Sequence, residues 1–217
     1  MFALIMSALL ALTSGFEIPT QHILTSTPEL CGDICPLQDN VPAQACVYYP
    51  HSLTDYNCTQ SSLGSCIKTN DSDVKCLNNN WAQNSSYSIG IRGTIGSFGR
   101  SEPVRVIQNY AAANITELIL KNYNDEKYYL TLLDGAFTNS SLTSLWIENV
   151  NLSLQEKVFP PQLRSLVLRK ADLRWIPKEI FTLCSLEKLD LSGQTLDTTQ
   201  LTEDEKAFLN KLNFTSS

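Results

Sequence analysis

The sequence predicts an α/β fold: a solenoid with a curved parallel sheet, preceded by a small disulfide-rich N-terminal domain. Three observations carry that expectation. An apolar spacing of the form L-x-x-L-x-L recurs five times between residues 115 and 214, six of the seven cysteines fall within residues 31–76, and an apolar run opens the 217-residue chain. With 22 acidic against 16 basic residues the net charge is −6, which disfavours nucleic acid as a partner.

Residues Phe2 to Leu12 are almost wholly apolar and are followed by Thr13, Ser14 and Gly15. Such a run is too short to cross roughly 30 Å of hydrocarbon, and the small residues after it suit a signal peptidase. Residues 1–15 are therefore expected to be a signal peptide, removed after Gly15. Seven N-x-[ST] sequons, at Asn57, Asn70, Asn84, Asn114, Asn139, Asn151 and Asn213, add an independent sign of the secretory pathway, where such acceptors are glycosylated. No later run approaches about 18 apolar residues, so no membrane span is expected in this chain. The expected location is extracellular, secreted or at the cell surface.

Residues 16–84 read as the cysteine-rich N-terminal domain. Cys31, Cys35, Cys46, Cys58, Cys66 and Cys76 are separated mostly by Pro, Asn, Ser, Thr and Asp. A segment this polar buries little surface, so three disulfides are expected to hold it together. Spacing alone does not choose their pairing. Zinc is not expected, because the segment has no CxxC pair and only one histidine, His51. Residues 85–114 are expected to be a connector or a first repeat. Gly90, Gly93, Gly96 and Gly99 recur at every third position without the prolines a collagen helix needs, and Ile89, Ile91 and Ile95 suggest a short extended piece that begins the packed array.

The repeat occupies residues 115–217. Its units begin at Ile115, Leu142, Leu163, Leu186 and Leu209, spaced by 27, 21, 23 and 23 residues, and their paired apolar positions are Leu118/Leu120, Leu145/Ile147, Leu166/Leu168, Leu189/Leu191 and Leu212/Phe214. Two apolar residues flanking one other residue give the two-residue period of a short strand. A further apolar position follows each of three strands, at Leu152, Leu173 and Leu196, and Pro160, Pro161 and Pro177 suit the turns between. The fixed period marks a stack of like units.

These residues resemble the leucine-rich repeat family, and the stretch from Leu173 to Leu191, with its Ile176-Pro177 step, is similar to the roughly 23-residue type of extracellular receptors and secreted recognition proteins. The resemblance covers about half the chain. It implies short parallel strands on the concave side of an arc, with function residing in binding. The family usually places Asn or Cys three residues after the last strand leucine to bond the turn backbone. This chain has Tyr123, Val150, Ala171 and Gln194 there, with Asn122, Asn149 and Asn151 as neighbouring substitutes.

If the strand leucines point inward, the residues between them point out. The central outward row then reads Ile119, Trp146, Val167, Asp190 and Asn213, the row before it Glu117, Ser144, Ser165, Lys188 and Lys211, and the row after it Lys121, Glu148, Arg169, Ser192 and Thr215. Trp146 beside Val167, rimmed by Glu148, Arg169, Lys188 and Asp190, has the make-up of an interaction patch with an aromatic anchor and charged edge. The expected partner is a protein or peptide. Cys184 is expected to be a buried free thiol. Thr202 and Glu205 form a capping-box pattern, so a helix over about 202–208 should feed the fifth strand.

No catalytic residue is expected. The only histidines, His22 and His51, lie outside the repeats in turn-rich sequence, so no base is placed for a Ser-His-Asp triad. No cofactor is expected either. Alternative readings are a truncated ectodomain of a leucine-rich-repeat receptor-like kinase, suggested by the end three residues past the fifth strand, and a structural wall or matrix glycoprotein, suggested by the sequons.

Overall fold

A computed structural model describes residues 21–32, 34–35, 45–52, 58, 64–77, 85–92, 102–112 and 114–216. The expected signal peptide, the sequons Asn57 and Asn84, and Gly93, Ile95, Gly96 and Gly99 lie outside the described residues. The chain is α/β, with one parallel sheet, one mixed sheet and few helical turns.

Where apolar and other residues alternate in the repeat, the chain extends and buries one side. Strands β5 (Ser86–Arg92), β7 (Glu117–Asn122), β9 (Ser144–Glu148), β11 (Ser165–Arg169), β12 (Lys188–Asp190) and β13 (Asn213–Thr215) build a six-stranded sheet in the order β13-β12-β11-β9-β7-β5. Every neighbouring pair in it is parallel. Leu118, Leu145, Leu166 and Leu189 fall in register across it and are buried, as are Leu120, Ile147 and Leu168 two residues on.

The second sheet is mixed. It comprises β1 (Ile23–Thr25), β2 (Cys46–Pro50), β3 (Gly64–Lys68), β4 (Ser72–Leu77), β6 (Val106–Gln108), β8 (Tyr128–Leu132) and β10 (Val150–Leu154), in the order β10-β8-β6-β1-β2-β4-β3. From β5 to β10 the chain alternates between the two sheets, one strand in each. One apolar cluster joins Leu24, Val47, Ile107, Leu130 and Leu132 of the mixed sheet to the strand leucines of the parallel sheet. Each such side chain contributes roughly 1.5–3 kcal/mol on burial.

The cysteine-rich strands are part of this mixed sheet, because β1 pairs antiparallel with β2 and parallel with β6. Their other face carries a second apolar cluster with Leu30, Tyr48, Val74 and Val106, covered by the helical turn Pro28–Gly32. Disulfides Cys31–Cys46 and Cys35–Cys76 pin that turn and the residues just after it to β2 and β4, while Cys58–Cys66 ties the chain before β3 to β3. All six expected cysteines are therefore paired. On the inner face, by contrast, the buried Lys75 amine meets the buried Glu102 carboxyl group, which also accepts a hydrogen bond from the Tyr49 hydroxyl.

The turns after the strands are bonded by amide side chains. Asn122 donates to the carbonyls of Glu126 and Asn149, and Asn149 donates back to those of Asn122 and Asn124. Gln194 makes four such bonds, accepting from the N–H of Ala171 and Leu173 and donating to the carbonyls of Leu168 and Leu191. Asn122 and Asn149 thus take the part expected of them as substitutes, and Gln194 fills the position itself.

Two expectations are corrected. Helix α1 (Glu203–Asn210) runs past residue 208 and buries Leu209, so β13 begins late and Phe214, not Leu212, pairs with Leu189. The last unit therefore stands two residues out of the expected register. Cys184 is exposed, its Sγ 3.6 Å from the Thr182 carbonyl oxygen. The 3-10 turn Lys178–Thr182 sends Ile180 into the core and leaves Phe181 to meet Phe208 edge to face, so the residue matched to the buried Ser140 points outward.

Candidate functional site

The outward side chains of the parallel sheet form rows whose alignment follows from strand register. One row is Ser86, Glu117, Ser144, Ser165, Lys188 and Asn213, and the next is Ser88, Ile119, Trp146, Val167, Asp190 and Thr215. The third contains Gly90, Lys121, Glu148 and Arg169. Lys211 thus leaves the first row and Asn213 takes its place, while Thr215 moves into the second.

Trp146 is half-buried at the centre of this face, and its neighbours hold it from two sides. Its indole Nε1 donates to Glu148 Oε2 at 3.0 Å, and the Arg169 guanidinium carbon stands 5.0 Å from its ring centroid. Cation–π contacts of this kind fix an aromatic ring as well as stabilise it. Glu148 also pairs with Lys121 at 3.2 Å. Arg169 reaches onward to Asp190, with Nη2 and Nε both donating to Oδ2 at 2.5 and 2.9 Å.

Register places Val167 between Trp146 and Asp190, so the Arg169 side chain that bridges them passes over it. This accounts for the burial of Val167 to 3% exposure and Asp190 to 2% on an outward-facing row. Hydrogen bonding to Asp190 raises the Arg169 pKa above its ordinary value. Burial alone would push the Asp190 carboxyl up, but bonds from Arg169 and from Ser192 outweigh it and hold the pKa below the ordinary value. The pair is therefore charged at neutral pH.

The structure thus brings Trp146, Glu148, Val167, Arg169 and Asp190 into one bonded group and leaves Lys188 exposed beside it. An indole whose edge and face are both held loses little freedom when a partner settles on it. Of the expected sequons, Asn70, Asn114, Asn139 and Asn213 are exposed and Asn151 is half-buried. Asn213 lies on the edge strand of this same sheet.

Sequence reasoning did not single out a groove of about 910 Å³ on another side of the molecule, lined by Leu154, Leu173, Ile176 and Leu201 with Trp175 on its wall. Trp175 is 56% exposed. The available signal was its position, since it falls between Leu173 and Ile176 in a slot the apolar spacing leaves to solvent. Compared with known proteins, the chain matches no family model, no curated protein and no solved structure.

Proposed function

We propose that this protein is an extracellular recognition module of leucine-rich-repeat type, which binds a protein or peptide partner through the outward face of its parallel sheet, with Trp146 as anchor. The observation that carries this reading is the ordered indole at the centre of that face, held by Glu148 and Arg169. Buried aromatic and Arg side chains at the middle of a patch are the residues that most often dominate binding energy. The evenly spaced leucines in register, the alternation of strands between two sheets and the amide-bonded turns support the repeat assignment and a solenoid form. Three disulfides fit an oxidising compartment. Among the described residues no helix is long and apolar enough to cross a membrane.

The test is a binding screen of the tetramerised protein against purified extracellular proteins, run in parallel with Trp146→Ala. A partner bound by the parent and held at least tenfold more weakly by Trp146→Ala, with unchanged circular dichroism, is the expected result. Equal binding by the two proteins would remove the face from consideration.

A further inference from the structure

We propose that this face accepts a short extended segment lying across the strands, with a cationic side chain at the β7 end, an anionic one at the β12 end and an apolar one between. This rests on the reading of the face as a binding surface, and it names the partner's chemistry.

The inference comes from which charges on the face are already neutralised. Lys121 is paired with Glu148 and Arg169 with Asp190, so the third row and the right half of the second are internally compensated. The first row is not. Among the described residues Glu117 accepts side-chain bonds only from neutral hydroxyls, those of Ser86 at 2.6 Å and Ser144 at 3.5 Å, and no cation there compensates its negative charge. Lys188 is exposed, and among the described residues no carboxylate pairs with it. The stretch of the row from β7 to β12 therefore has a negative end and a positive end, separated only by Ser144 and Ser165.

Those ends are three strand spacings apart, about 14 Å at about 4.8 Å per spacing. An extended chain rises about 3.4 Å per residue, so side chains four residues apart span the same distance. Parity agrees as well, since residues i, i+2 and i+4 of an extended chain point to one side. A segment with opposite charges at i and i+4 sets both toward the sheet and brings i+2 down over Ser144 and Ser165, next to Trp146. A singly charged segment leaves one of these two charges facing water, and a neutral one leaves both.

The probe is the unlabelled peptide Ac-Lys-Ser-Leu-Ser-Glu-NH2, titrated into the protein at low salt and followed by the protein's amide chemical shifts. It is compared with versions in which Lys or Glu is replaced by Gln, and with Ac-Lys-Ser-Leu-Glu-NH2, in which the charges are three residues apart. Each charge is expected to tighten binding about threefold, the scale of an exposed ion pair, and the shorter spacing should lose that gain. Glu117→Gln should abolish the advantage of the peptide lysine alone, and Lys188→Gln that of the peptide glutamate alone. Equal affinity for all four peptides, still weakened by Trp146→Ala, would overturn this inference and leave the face reading standing. Binding indifferent to Trp146→Ala as well would sink both. No binding of any probe also rejects the inference, and the screen with tetramerised protein then judges the face separately.

Discussion

At the scale of single residues, two ionisable pairs make stability depend on pH in different ways. Asp190 is buried with its partner partly exposed, so Arg169→Ala strips the carboxylate of two charge-assisted bonds and uncovers Val167. The expected cost is about 2 kcal/mol in denaturant unfolding, with Trp146 losing its cation–π partner and shifting its emission. Because the folded pKa of Asp190 is depressed, the contribution is present above the unfolded value of 3.8 and is lost as pH falls through the folded one. Lys75 and Glu102 behave differently. Burial pulls Lys75 down to about 8 and pushes Glu102 up to about 8. For a raised carboxyl the stabilisation is full below 4.5 and lost as pH rises through 8; for a lowered amine it is full above 10.5 and lost as pH falls through 8. The protein should therefore melt at a lower temperature near pH 8 than at pH 6, and a Lys75→Met/Glu102→Gln double variant should flatten that dip. A melting temperature independent of pH between 6 and 8 in the parent would contradict the account.

At the scale of elements, the turns depend on a few amide side chains more than on any strand. Gln194→Ala leaves two backbone N–H and two carbonyl groups without their bonds, and an unfolding loss of about 3 kcal/mol is expected. Thr202→Ala, which removes the cap of α1, should cost only about 1 kcal/mol. Hydrogen exchange would show the first change at Ala171 and Leu173 and the second confined to the helix start. The contrast also explains what the sequence made legible. Strands β7, β9, β11 and β12 were readable because each needs an inward pair of leucines at fixed spacing, and Trp146 was readable as the aromatic in an outward slot. Strands β1, β2, β4 and β6 were not, since they are covered on both faces and so carry no alternation to read. The slip at β13 has another cause: Leu209 and Leu212 fit the strand spacing and the helix end equally well, and only the docking of α1 decides between them. The bonds of Arg169 to Asp190 were invisible for a third reason, because sequence places two residues on a face without fixing which rotamers join them.

At the scale of the whole molecule, the cysteine-rich strands share the mixed sheet with β6, β8 and β10 and the larger apolar cluster with the strands of the parallel sheet, so the two regions should unfold together. Leu24, Val47, Tyr49 and Leu77 pack in the same cluster as Leu145, Leu166 and Leu189, and the parallel pairing of β1 with β6 carries the ladder from one region into the other. A bead-like arrangement, with a stapled cap beside an independent array, would show two transitions. Here chemical denaturation should give one, with tryptophan emission and far-ultraviolet dichroism coinciding. The staples act on that single equilibrium. Cys35–Cys76 closes a separation of 41 residues, and its loss should destabilise the whole chain by about 4 kcal/mol on the chain-entropy account. A Cys35→Ser/Cys76→Ser variant is therefore expected to lower the common midpoint while both probes still move together. The decisive comparison is at Leu166 and Leu168, in the strand that carries Arg169 and is remote in sequence from every disulfide. Their amide exchange should accelerate along with that of β2 and β4 in this variant. If those two amides kept their parent protection while the cysteine-rich strands lost theirs, the core would be continuous in geometry but divided in energy, and the repeats would fold as a unit of their own.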